Sequence, residues 1–113
     1  MKHFEIDTNS DNEIVNSQNT TAYFPEFNLT LPGKQINSLI YIKPKSSEDF
    51  LYIVDLNIKV LFDTDGDVCY DNFENYKISK LDIETHDIQT VELSEILEIL
   101  NLAMLETIKL IKE

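Results

Sequence analysis

The chain has 113 residues, which fits one domain built on one modest core. Its 21 acids face nine bases, all of them lysine, giving a formal charge of −12. Such a field opposes nucleic-acid phosphates and anionic lipid, so direct nucleic-acid or membrane binding is not expected, and a protein partner, basic ones included, is. High net charge also serves solubility by itself.

Charged and polar residues interrupt every long apolar run: Asp55 and Lys59 in the centre, and Glu95, Glu98, Asn101 and Glu106 near the end. None of these runs can cross a bilayer. Met1 to Asp7 lacks the apolar segment and small-residue cleavage site of an export signal, so cytoplasmic residence is the default expectation. Cys69 is the only cysteine, which excludes an intrachain disulfide and reads as a small buried apolar side chain.

In chain order, Lys2 to Asp7 alternates around Phe4 and Ile6 and predicts a short edge strand. Thr8 to Thr21 is rich in Asn, Ser, Asp and Thr and has little apolar area to offset the entropy of ordering it. Residues 1–22 therefore read as a flexible N-terminal segment, and residues 23–113 as a single α+β domain. Tyr23 to Leu31 reads as a strand with Phe27, Leu29 and Leu31 on one side, entered past Pro25 at an edge. Pro32-Gly33 signals a turn. A second strand is expected over Ile36 to Lys43, ended by Pro44, with a polar connection from Lys45 to Asp49.

The stretch FLYIVDLNIKVLF, Phe50 to Phe62, is the predicted central strand. Tyr52, Val54, Leu56, Ile58, Val60 and Phe62 share one side at period two. It folds back at Asp65-Gly66, where a two-residue loop would set Phe62 opposite Cys69 and Leu61 opposite Tyr70. Asp71 to Tyr76 reads as a turn, Ile78 to Thr85 as a renewed strand, and Ile88 and Val91 as its continuation or the approach to a helix.

From Leu93 to Ile111 the period changes to that of a helix, with Leu93, Ile96, Leu97, Leu100, Ala103, Met104, Ile108 and Ile111 on the side expected to face the sheet. Thr90 or Ser94 is the expected cap. The early Glu92, Glu95 and Glu98 and the late Lys109 and Lys112 suit the helix dipole. The fold expectation is an antiparallel β-meander of four to five strands, with one long C-terminal helix packed on one face.

The apolar arc of this helix is unusually wide. Ile99 and Leu110 flank it, and Leu102 and Leu105 fall near its polar side, which marks these four as candidate protein-interaction residues. The functional expectation is a non-enzymatic interaction or assembly module, binding another protein or a second copy of itself, with no cofactor. Two alternatives rest on the acids. Asp63, Asp65, Asp67, Asp71 and Glu74 fall at spacings 1, 3, 5, 9 and 12, as in a calcium loop, although Val68 stands where that loop needs glycine. If those five share one acidic surface with Glu95, Glu98 and Glu106, the chain could imitate a nucleic-acid backbone and block a basic groove. His3 and His86 give no catalytic pairing, and the sequence has no HExxH, glycine-rich phosphate loop, CxxC or GxSxG, so enzyme activity is not expected.

Overall fold

The computed structural model describes residues 4–5, 11–44 and 49–112. Six strands form one sheet: β1 (Phe4–Glu5), β2 (Glu13–Phe24), β3 (Leu29–Pro44), β4 (Phe50–Phe62), β5 (Val68–Asp82) and β6 (Ile88–Gln89). Strands β2 to β6 follow one another as a five-stranded antiparallel meander, and β1 adds to β3 at Lys43 and Pro44. The chain then enters α1 (Leu93–Lys112), the one α-helix among the described residues, which crosses one face of the sheet and contacts β2, β3 and β4.

The alternation of β4 is realised as read. Tyr52, Val54, Leu56, Ile58 and Val60 are all fully buried beneath α1. Register carries the same face into β3, where Ile36, Ile40 and Ile42 stand opposite Ile58, Val54 and Tyr52. Ile99, Leu100 and Ala103 complete the core from the helix. The opposite sheet face is polar in its middle, with Gln35 hydrogen-bonded to Asn57 and Asn37 to Asp55 across the β3/β4 pair, and carries half-buried Leu39, Tyr41, Leu51, Ile53 and Leu81 toward one end. Leu61 is the buried residue of that face, because it folds over Gly33, the only residue type that leaves room there.

Four local expectations are corrected. Residues 13–22, expected to be flexible, belong to β2, which pairs with β3 from Glu13↔Leu39 to Phe24↔Leu29. An edge strand is held by its ladder hydrogen bonds and needs little apolar burial, so a polar composition did not exclude it. Tyr23 to Leu31 is the tip of the β2/β3 hairpin, turned by a 3-10 segment at Pro25–Phe27 with Asn28 in the left-handed region at φ 47°. Pro32-Gly33 lies inside β3, with Pro32 paired to Thr21 and Gly33 to Thr20. Asp71 to Tyr76 lies inside β5, which absorbs its irregularity as bulges beside the Asn57/Ile58 and Leu61/Phe62 positions of β4.

The β4/β5 turn spans Asp63 to Asp67. Gly66 adopts φ 84°, and the Asp63 carboxylate accepts the amides of Asp65 and Asp67 at 3.0 and 2.9 Å. Leu61 does stand opposite Tyr70, but Phe62 faces Val68, because Cys69 is the bulged residue. That bulge leaves Cys69 exposed, against the expectation of burial. The segment 45–48 and most of the predicted first strand lie outside the described residues.

Candidate interaction surface

The chemistry of α1 is set by its rotation on the sheet. Glu95, Ile99, Ala103 and Thr107, four residues apart, are the line that faces the strands, and all four are buried. Two are polar, and both have partners. Glu95 Oε1 accepts the Tyr52 hydroxyl at 2.8 Å and lies 3.9 Å from Lys80 Nζ, while Oε2 accepts the Glu92 amide at 3.3 Å. The last contact is half of a capping box, with Glu92 at the N-cap position in place of the expected Thr90 or Ser94. Burial, and then the bond to Glu95, drives the Tyr52 hydroxyl well above the ordinary tyrosine range. Lys80 Nζ stands 4.2 Å from the centre of the Phe50 ring, so this end of the helix is fixed by ion pair, hydrogen bond and cation–π contact together.

At the other end Thr107 Oγ1 donates to the Ala103 carbonyl at 2.8 Å. Its hydrogen is thereby used, so the Ser38 hydroxyl, 2.7 Å away, donates to Thr107. Glu106 accepts a hydrogen bond from Asn12 Nδ2 at 3.4 Å, on the β2 side of the helix.

With the polar-bearing line turned inward, the apolar line beside it is covered along its later turns and uncovered at its start. Leu93, Leu97, Leu100, Met104, Ile108 and Ile111 recur at spacings of three and four and form one continuous seam. At about 100° per residue, Leu97 points roughly opposite Glu106, hence away from β2 and toward β5. Leu93 is 84% exposed and Leu97 66%; Met104, Ile108 and Ile111 are half-buried and Leu100 is buried. The expectation that Leu93 and Leu97 face the core is therefore corrected. Below this flank the inner face of β5 is also only partly covered: Val68, Phe73 and Ile78 are half-buried and Tyr76 is exposed.

The four residues singled out from sequence separate. Ile99 is fully buried between helix and sheet and is a core residue; Leu102 and Leu110 are half-buried against that core; Leu105 is 59% exposed on the outer side of the helix. On α1 the exposed apolar residues are thus Leu93, Leu97 and Leu105; elsewhere Ile88 of β6, Val15, Tyr70, Tyr76 and, at the β2/β3 hairpin tip, Tyr23, Phe27 and Leu29 are also exposed. Leu93 and Leu97 were missed because periodicity gives the width of an apolar arc but not its centre. The signal that could have found them is the unbroken seam itself, set against a parallel line interrupted by Glu95 and Thr107.

The eight acids do not share one surface. Asp63, Asp65 and Asp67 occupy the β4/β5 turn, with Asp71 and Glu74 beyond it on β5. Glu95 is buried at Tyr52, near the opposite end of β4, roughly 35 Å away at the rise of an extended strand. Glu98 is exposed on the early part of the helix, and Glu106 is half-buried beside Asn12. Among the described residues no group of three or more His, Cys, Asp or Glu side chains could hold a metal ion, so the calcium-loop spacing does not converge into a chelate. The β-ladder explains this: Asp71 pairs with Val60 and Glu74 is a bulge farther down, while the Asp63 carboxylate serves the turn amides.

His86 is exposed at φ 63° in the turn before β6, where the Asp82 carboxylate accepts the amides of Glu84 and Thr85. Those backbone bonds, that of Thr85 foremost, hold the Asp82 carboxyl below its usual range. His3 lies outside the described residues. No described helix is long and apolar enough to cross a membrane. No protein-family model, curated protein or solved structure matches the chain.

Proposed function

We propose that this chain is a non-enzymatic interaction or assembly module whose working surface is the outer flank of α1, centred on Leu97 and extending to Leu93 and Leu105. The observation that carries this reading is the rotation of the helix. The start of its apolar seam, Leu93 and Leu97, is left 84% and 66% exposed while Leu100, Met104 and Ile111 pack on the core, and that exposed pair costs apolar hydration that a partner would remove. The net charge of −12 serves solubility and the steering of that partner, and disfavours direct contact with nucleic acid or anionic lipid.

The test is a photo-crosslinking side chain placed at Leu97 in cells that naturally make the protein, with Glu84 in the exposed β5/β6 turn as control. Discrete adducts at position 97 and none at 84 are expected. Equal labelling at both positions, or none at 97, overturns the reading.

A further inference from the structure

We infer that the sheet face opposite α1 carries a second site, a shallow amide-lined groove that takes one ring of a neutral saccharide. The groove has a volume of about 180 Å3 and is lined by Asn37, Asp55, Asn57, Asn75, Tyr76 and Lys77. Strand register builds it: Asn16, Asn37, Asn57 and Asn75 stand in one row across β2, β3, β4 and β5. Asparagine is a poor strand residue, so strand formation does not account for its recurrence at one level of four strands. Two bulges fall beside this row, at Val15 of β2 and Glu74 of β5. A bulge bends its strand and re-aims the neighbouring side chains, and bulges concentrate next to active sites.

Hydrogen-bonding chemistry selects the ligand. Asn37 Nδ2 donates to Asp55 Oδ1 at 2.8 Å, and Gln35 Nε2 donates to Asn57 Oδ1. These bonds hold the amides in place before a ligand arrives, which lowers the ordering cost of binding. They leave Asn57 Nδ2 with hydrogens to give, and Asn37 Oδ1 and the second Asp55 oxygen able to accept. From β5, exposed Asn75 and Lys77 add an amide and an ammonium. Lys77 stands opposite Asp55 in the ladder, so the groove is neutral although the chain carries −12.

A ligand matched to this groove is uncharged and presents adjacent groups that each donate and accept, as the hydroxyls of a sugar ring do. The C–H face of the ring has a place beside them, on half-buried Leu39, Tyr41 and Ile53 of the same sheet face. A peptide strand would instead dock along a sheet edge, where main-chain groups are free. A nucleic acid would bring phosphates into a net negative field.

The test titrates the isotope-labelled chain with neutral oligosaccharides of glucose, of mannose and of N-acetylglucosamine, and follows the side-chain amide signals by NMR. At least one of these sugars should give saturable shifts at Asn57 and Asn75, with millimolar affinity for so shallow a site. Asn75→Ala/Lys77→Ala changes only exposed side chains and should bind about tenfold more weakly with its backbone spectrum otherwise preserved. Should that variant not fold, Asn57→Asp keeps the acceptor for Gln35, removes the amide donor and should show a similar loss. No shift with any of the sugars, shifts confined to other parts of the chain, or unchanged affinity in the folded variant overturns the site. Equal shifts with a sulfated oligosaccharide or with oligothymidylate overturn the assignment to neutral sugar.

Discussion

Replacing Glu95 by alanine should destabilise the fold more than any surface substitution on α1, although Glu95 reads from sequence as an ordinary solvated acid. The substitution removes the acceptor of the fully buried Tyr52 hydroxyl, which costs about 1–3 kcal/mol. It also removes the ion pair to Lys80, whose side chain is 14% exposed, for about 1 kcal/mol or less. Losing the back-bond to the Glu92 amide adds roughly 0.5 kcal/mol at an exposed helix start. The sum is about 2–4 kcal/mol, or roughly 8–16 °C in melting temperature for a domain of this size. Urea unfolding followed by far-ultraviolet circular dichroism gives the difference directly. Glu95→Gln keeps an acceptor of the same shape and should lose less than half as much. Adding Tyr52→Phe to Glu95→Ala should cost little more, because the hydroxyl that needed the acceptor is gone. A loss below 1 kcal/mol for Glu95→Ala, or a large further loss on adding Tyr52→Phe, would refute the reasoning.

Three further outcomes follow from the same geometry. Gly33→Ala places a methyl against the Val60 carbonyl and within 2.7 Å of Leu61 Cδ2, so it should cost about 2–3 kcal/mol, while Gly66→Ala, at φ 84° in open space, costs about 1 kcal/mol from backbone strain alone; equal losses in thermal melts would contradict the packing at Gly33. The folded-state pKa of Tyr52 is raised, so its contribution is fully present below the unfolded value of about 10 and is lost as pH rises through the folded value. Stability should therefore fall above about pH 10 by up to about 1.4 kcal/mol per pH unit, and Tyr52→Phe should flatten this limb of an alkaline unfolding series. Thr107→Val removes the acceptor of the buried Ser38 hydroxyl and should cost about 1–2 kcal/mol, whereas Ser38→Ala/Thr107→Val should lose clearly less than the sum of the two single changes.

Much of the architecture is written in period and punctuation. The period-two run from Phe50 to Phe62 emerges as β4, and the change to helical period at Leu93 marks the first residue of α1. The segments misread share one cause, which is that ladder pairing leaves no local composition signal. Strand β2 is polar because its outward residues are solvated at a sheet edge, and β5 carries Asp71 to Tyr76 because bulges take up the irregularity. Pro32 sits in β3 without breaking it, paired to Thr21 where the β2/β3 ribbon has run past β4. At the candidate surface the limit was rotation. Tyr52 and Lys80 hold Glu95 inward from 43 and 15 residues away, which leaves Leu93 and Leu97 uncovered at the start of the helix. A helix read alone cannot report partners so distant in sequence, so Ile99 and Leu97 exchanged their expected places.

The interaction surface proposed at the start of α1, whether it meets another protein or a second copy, is tested most directly by native mass, of the purified chain and in extract of cells that make it, for the wild type and for Leu93→Ser/Leu97→Ser. Both should be measured from micromolar to submillimolar concentration. Both side chains are exposed in the single chain, so their replacement leaves the monomer fold and its helical signal intact. The wild type should be found above its 13.1 kDa chain mass in at least one of the two, and the variant at 13.1 kDa in both. Equal masses for the two proteins across that range would contradict it.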